Sequence, residues 1–216
     1  MELGRCEAGG CVEEKMQKKS DKIRIAIFGG SGYGGSELLR ILLFHPNAEI
    51  ALVTANEHAG KAVGAVHRNL FGLTDLEFSP ASDDLSTLSD IDVAFFALPH
   101  GQALNLVSHL PEGVKAIDLS GDFRIDDPET FAKFYKLDHV GDIQSNFVYG
   151  LTETNRDAIR AAGFVANPGC FATATLLALA PAVKSGLLTG KIIVDAKTGS
   201  SGSGAKAAAN THHPQR

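Results

Sequence analysis

The stretch Lys22–Pro46, KIRIAIFGGSGYGGSELLRILLFHP, decides the fold. It opens with KIRIAIF, whose Ile and Phe residues read as a buried β-strand, and runs directly into GGSGYGG. GGSELLRILLFHP follows, with apolar residues at helical spacing until Pro46 stops the helix. Within the turn, Gly30, Gly32 and Gly35 fit G-x-G-x-x-G, and Gly29, Gly32 and Gly35 fit G-x-x-G-x-x-G. A strand, a glycine turn and a helix in that order are the context in which such a motif binds a dinucleotide. Glycine lets the backbone approach a pyrophosphate with no Cβ in the way, and the helix start offers N–H groups to the anion. No G-K-[ST] follows, which argues against a phosphate loop of the nucleoside-triphosphatase kind.

Working outward, strand-like and helix-like runs alternate. AEIALVTA, DVAFFALP, VKAIDLS and FVAN read as strands, with GQALNLVSHL and RDAIRAAG as helices between them. KIIVDA, further on, reads as another strand, and KTGSSGSGAKAAAN after it is too rich in Gly and Ser for regular structure. Near-continuous apolar strands separated by helices predict a parallel sheet covered on both faces: an α/β, Rossmann-type doubly wound fold. The expected organisation is a flexible tail over 1–20 and a dinucleotide-binding domain over 21–169. The start of an α+β catalytic and dimerisation domain is expected over 170–216.

Composition narrows the function. Of 216 residues, 44% are hydrophobic and 21% charged, the profile of an ordinary globular chain. The formal net charge is −5 and the basic residues are dispersed, which argues against a nucleic-acid face. No apolar run reaches the roughly 18 residues of a membrane span, so no membrane partner is expected. The first residues lack the apolar core of a signal peptide, and a reducing cytoplasm is the expected location. Cys6 and Cys11 lie in the polar tail near a second methionine, Met16. Without His or further Cys partners they imply neither a disulfide framework nor a metal site.

The third cysteine, Cys170, follows Asn167-Pro168-Gly169 and heads the helical pattern FATATLLALAP. Buried packing is one reading of a free cysteine. A thiol at a helix N-terminus is also favoured as thiolate, the reactive form. Paired with a dinucleotide turn, it points to thiolate attack on an activated acyl group followed by hydride transfer at the thioester. At the end of the second strand, TANEHAGK leaves the cofactor open. Glu57 would suit the free 2′-hydroxyl of NAD, and Lys61 or Arg68 the 2′-phosphate of NADP.

FGGSGYGGSELLRILLFHP, FALPHG, DLSGDFRID, VYGLTE and NPGCFATATLLALAP, in that order, resemble the N-acetyl-gamma-glutamyl-phosphate reductases, relatives of aspartate-semialdehyde dehydrogenase. The resemblance runs from about Lys22 to the end. It implies NADPH-dependent reduction of a small-molecule acyl phosphate, N-acetyl-glutamyl phosphate, to the semialdehyde, in arginine biosynthesis. By it, Cys170 is the nucleophile and Gly29, Ser31, Gly32, Tyr33 and Gly35 wrap the pyrophosphate. Arg124 meets the acyl phosphate or its carboxylate, with a surface ion pair to Asp122 or Asp126 as the plainer reading. His100 lies near the cofactor, or is simply a hydrogen-bonded loop histidine. Asn167 shapes the cysteine corner or touches the nicotinamide amide.

TGSSGSGAK resembles the family's S-G-x-S-G-A-G-R loop, placing Ser201 and Gly202 over the cofactor. It departs from that loop in having Ala205 and Lys206 where an Arg is usual. THHPQR at the end is closer to reductases of carrier-bound aminoadipyl or glutamyl phosphate. NADP over NAD rests on family habit. The family's histidine general acid/base falls past Arg216, and His212 and His213 read as a surface pair. The chain is therefore expected to be the N-terminal portion of a longer enzyme whose full form is a homo-oligomer. A short-chain alcohol dehydrogenase is disfavoured, because no tyrosine has Lys four residues on. A non-catalytic dinucleotide-binding module is the alternative outside enzymes.

Overall fold

A computed structural model of the chain describes residues 21–82, 85, 88–138 and 141–205. The expected tail, with Cys6, Cys11 and Met16, lies outside the described residues, as do Lys206, His212 and His213.

Strand β1 (Ile23–Phe28) leads through the glycine turn into helix α1 (Tyr33–Leu42), followed by β2 (Ala48–Val53) and the short α2 (Val63–Val66). Next come β3 (Val93–Phe96), α3 (Ala103–Val107), β4 (Lys115–Asp118), α4 (Pro128–Tyr135) and α5 (Asp142–Ser145). The chain continues through β5 (Phe147–Tyr149), α6 (Thr152–Ala161), β6 (Phe164–Ala166) and α7 (Cys170–Lys184). The six strands form one sheet in the order β2-β1-β3-β4-β6-β5, and every pairing is parallel. This is the doubly wound sheet expected from the apolar runs.

Two-sided burial explains why those runs are continuous rather than alternating. Along β1, Ile25 and Ile27 join one core cluster with Leu39, Val53, Val63 and Phe78. Ala26 and Phe28 join the other, with Ala94, Phe96, Leu104 and Val107. Successive side chains point to opposite faces, so both parities must be apolar. Phe28 and Phe96 sit in register on neighbouring strands, and their rings stack 5.0 Å apart.

KIIVDA does not form the expected strand. Lys191–Ala196 has no regular structure and is exposed throughout, Ile193 at 85%. Its residue types favour a strand, but a strand also needs a ladder neighbour to take its N–H and C=O groups, and none pairs with it among the described residues. In the loop after it, Ser200–Ser203 makes a single 3-10 turn. Among the described residues no helix is long and apolar enough to cross a membrane.

Candidate active site

Because all strands run one way, the segments leaving β1, β3, β4 and β6 emerge at one end of the sheet. The reversal of strand order falls between β1 and β3, where open α/β sheets bind ligands. At that crevice Gly29 has φ +80°, and a Cβ built on it would lie 2.4 Å from the Ala97 carbonyl oxygen at the end of β3. A Cβ on Gly35 would lie 2.5 Å from Gly30 Cα, so this glycine lets α1 close onto the turn. Gly32 differs: a Cβ there would meet nothing nearer than 3.9 Å. It is the N-cap of α1, whose first N–H groups have no partner within the helix. Protein packing does not require that glycine, whereas an anion approaching those N–H groups would.

A cleft of about 470 Å³ opens beside the turn, lined by Ser31, Tyr33, His58, Lys61, His67 and Ala205 among others. His67 is buried and its Nε2 lies 2.8 Å from the Gly30 carbonyl oxygen, with its ring edge-on to Phe78. It bolts the turn to the segment following β2. Nothing in the periodicity marks it, because its partner lies 37 residues upstream. Ser201 and Gly202 are exposed on the 3-10 turn and do not line the cleft, whereas Ala205 does.

The loops after β3 and β4 are stitched together by buried carboxylates. Asp122, fully buried, accepts N–H bonds from Gly101 at 2.8 Å and Ala103 at 3.2 Å. It does not pair with Arg124. His100 accepts the Gly121 N–H at Nδ1, 2.8 Å away, and stands edge-on to Tyr135. In the neutral ring this bond leaves the proton on Nε2.

At the cysteine corner, Arg124 donates from Nε to the Asn167 carbonyl at 2.8 Å and from Nη2 to the Leu119 carbonyl at 2.9 Å. Its Nη1 would be 3.1 Å from a Cβ on Gly169, so a glycine there makes room for the guanidinium. Asn167 donates its backbone N–H to the Asp118 carbonyl at 2.7 Å, and its side-chain amide to the Pro168 carbonyl. Gly169 is the N-cap of α7, and its carbonyl accepts both the N–H and the hydroxyl of Thr173. Cys170 is the first helical residue and is exposed, not packed in a core. The structure thus brings Arg124, Asn167, Gly169 and Cys170 together, Ser31 and Tyr33 with Lys61, and His100 with the Asp122 loop.

Asp118 is fully buried at the end of β4. Burial pushes its carboxyl from 3.8 up to about 6, against the pull of hydrogen bonds from Ser120, while the charge of Asp122 adds to the rise and that of Arg124 opposes it. The native state therefore keeps this proton after the unfolded chain has lost it, and stability falls as pH rises from about 4 to 6. At about 1.4 kcal/mol per pH unit, this group should remove about 3 kcal/mol over that window. Asp118→Asn abolishes the titration, so the stability gap between variant and wild type should move by that amount between pH 4 and pH 7. Urea unfolding at a series of pH values measures it, and a pH-independent gap would refute a raised carboxyl.

A parallel sheet with a glycine turn at its strand-order reversal, and a cysteine heading a helix at the same end, defines a dinucleotide-binding protein with a candidate thiol site. Residues 24–162 match the family described as semialdehyde dehydrogenase, NAD binding domain, and residues 170–216 match semialdehyde dehydrogenase, dimerisation domain. The chain belongs to the semialdehyde dehydrogenase family. It is 46% identical to the [LysW]-L-2-aminoadipate/[LysW]-L-glutamate phosphate reductase of Saccharolobus solfataricus, over 91% of this chain and 56% of that protein. The N-acetyl-gamma-glutamyl-phosphate reductases of Archaeoglobus fulgidus and Acinetobacter baumannii are 43% and 47% identical, over 89% and 86% of this chain and 56% and 54% of theirs. The chain spans about half the length of the curated relatives it matches. Aspartate semialdehyde dehydrogenase from Candida albicans, solved with NADP, has the same fold, with a TM-score of 0.51 at 14% identity over 76% of this chain and 47% of that one.

Proposed function

We propose that the protein is an NADP-dependent acyl-phosphate reductase, converting N-acetyl-glutamyl phosphate to the semialdehyde and phosphate through a thioester on Cys170. The observation that carries this reading is the cysteine corner: an exposed thiol at the first position of α7, beside a guanidinium locked to two carbonyls. The fixed charge of Arg124 and the first N–H groups of α7 favour an anionic acyl phosphate there. Cys170 Sγ attacks the acyl carbon, the S–C bond forms, and the C–O bond to phosphate breaks with its electron pair leaving on phosphate. A reduced dinucleotide, when bound at the glycine turn, would supply the hydride that the thioester carbonyl needs to become the aldehyde, and Cys170 would leave as the C–S bond breaks with its electron pair on sulfur.

The residues present fit such a cofactor. Gly32 leaves a space that a Cβ would enter, and the Nε2–H of His100, on the loop leaving β3 at the strand-order reversal, is a donor for it. Arg124 positions the corner through Asn167 and offers Nη1 toward substrate. Ser201 and Gly202, on the loop that brings Ala205 to the cleft, come over the cofactor when that loop closes. The likeness to the Saccharolobus protein favours a second substrate reading, an aminoadipyl or glutamyl phosphate held on a carrier. The match of residues 170–216 to a dimerisation domain supports a homo-oligomer.

Incubation with N-acetyl-glutamyl phosphate in the absence of dinucleotide should leave an acyl adduct on the peptide containing Cys170, with one equivalent of phosphate released, as read by mass spectrometry. No adduct from either the free or the carrier-bound acyl phosphate would reduce the protein to a dinucleotide-binding module.

A further inference from the structure

His100 is held more firmly than its exposure explains. Its side chain is 57% exposed, yet the ring and its backbone are fixed from three sides. Nδ1 accepts the Gly121 N–H at 2.8 Å, and Tyr135 meets the ring edge-on, with centroids 5.4 Å apart. The backbone that follows is pinned by Asp122, whose buried carboxylate accepts the N–H groups of Gly101 and Ala103. Gly121 lies beneath both rings: a Cβ there would stand 2.3 Å from Tyr135 Cε1 and 2.7 Å from His100 Cε1. Ordering an exposed ring costs rotamer entropy and buries little in return, so packing alone does not account for the arrangement.

Tyr135 is itself fixed by α4. Asp127 caps that helix by accepting the Thr130 N–H at 2.7 Å, and Phe131, fully buried, stacks on Tyr135 one turn later with centroids 5.2 Å apart. Just past the helix, Leu137 comes to 3.4 Å from where a Cβ on Gly101 would stand, and Gly101 has φ +83°. The end of α4 therefore lies across His100 and the residue after it as a strap. Such a strap matters because the ring has an alternative. Asp122 Oδ1 is 3.8 Å from His100 Nδ1. A ring turned toward that carboxylate would carry its proton on Nδ1 and leave Nε2 a bare acceptor.

We infer that Tyr135 is a positioning residue for His100. Its ring, seated over Gly121, holds the imidazole with Nδ1 on the Gly121 N–H, so that Nε2 keeps its proton and stays a donor. The inference rests on the reading of His100 as a group that meets the cofactor. An edge-on contact between rings is carried by shape and by the aromatic quadrupole, not by the phenol hydroxyl. Phenylalanine should therefore serve at this position and alanine should not.

Imidazole nitrogen-15 spectra of histidine-labelled protein at alkaline pH, assigned by the signals lost in His100→Ala, read the proton's position directly. Wild type should show one fixed Nε2–H form. Tyr135→Ala should average the two nitrogens, and Gly121→Ala, whose methyl displaces both rings, should do the same. Tyr135→Phe should keep the wild-type pattern. Calorimetry with NADPH gives a second readout. Tyr135→Ala should weaken binding about fivefold, the scale of one neutral hydrogen bond. In a His100→Ala background it should weaken binding less than about twofold, because no ring is left to position. Equal weakening in both backgrounds would make Tyr135 merely structural and overturn the inference. A wild-type ring in the Nδ1–H form, or Tyr135→Phe behaving like Tyr135→Ala, would overturn it too. Failure of wild type to bind NADPH would overturn the cofactor reading of His100, and the spectra alone would then decide the positioning.

Discussion

Gly29→Ala is expected to destabilise the protein by about 3 kcal/mol, combining an overpacking cost of roughly 1–3 kcal/mol with roughly 1–2 kcal/mol for a left-handed backbone. The new methyl would stand 2.4 Å from the Ala97 carbonyl oxygen, a backbone atom at the end of a buried strand that cannot swing aside, and φ is +80°. For a chain of this length that loss corresponds to a melting temperature lower by roughly 10 °C. Gly34→Ala is the control, because its Cβ would meet only ordinary contacts at 3.8 Å and lies on a helix that alanine favours. Gly32→Ala separates folding from binding. Its Cβ meets no protein atom closer than 3.9 Å, so the melting temperature should hold while dinucleotide affinity falls by an order of magnitude or more. Unchanged affinity in that variant would mean that the turn shapes the fold and holds no pyrophosphate.

Cys170→Ser should lower single-turnover phosphate release from the acyl phosphate by ~10⁴-fold or more, down to spontaneous hydrolysis, as loss of a nucleophile commonly does. Serine keeps the size and the helix position, and as an exposed residue Cys170 supports no core packing, so stability should change little. Dinucleotide affinity should remain within about twofold, since the glycine turn and the cysteine corner are formed by different loops. Residual release well above spontaneous hydrolysis would move the nucleophile elsewhere. A parallel collapse of cofactor affinity would instead show that Cys170 shapes the whole site.

What the sequence made legible follows from local physics. β1 and β3 are readable because burial on both faces makes their positions apolar, with Arg24 near the start of β1 as the exception. The glycine turn is readable because strand, turn and helix must follow in that order to present N–H groups. Cys170 at a helix start is readable from Asn-Pro-Gly ahead of an apolar run. The groups that hold the site in shape are not readable, because each acts across a long sequence separation. His67 secures Gly30 from 37 residues away, and Asp122 secures Gly101 from 21. An aspartate at the end of a strand or in the loop after it carries no local sign of burial, and only the tertiary fold makes Asp118 and Asp122 buried acceptors. Arg124 shows the opposite difficulty. Neighbouring aspartates invite an ion pair, yet carbonyl oxygens take two of its donors and leave a third side of the guanidinium against Gly169. KIIVDA marks the limit of propensity, since residue types alone supply no ladder.

None of the 15 residues of α7 is buried, and neither core cluster draws on it. The protein therefore holds two scales of cooperativity. The sheet and its two cores open only together, at the cost of the global transition, whereas α7 can open by itself from a low free energy. The Asn167 corner just before it is tied to the sheet by the Arg124 and Asn167 bonds, so the location of the thiol is inherited from the unit that opens only globally. Its persistence as a helix is not. Whatever covers the apolar side chains of α7, Phe171 and Leu176 among them, raises that opening energy and with it the lifetime of the ordered corner. If a partner covers that face, its binding would act as a timer on the corner, lengthening the interval for which it stays formed without touching the sulfur.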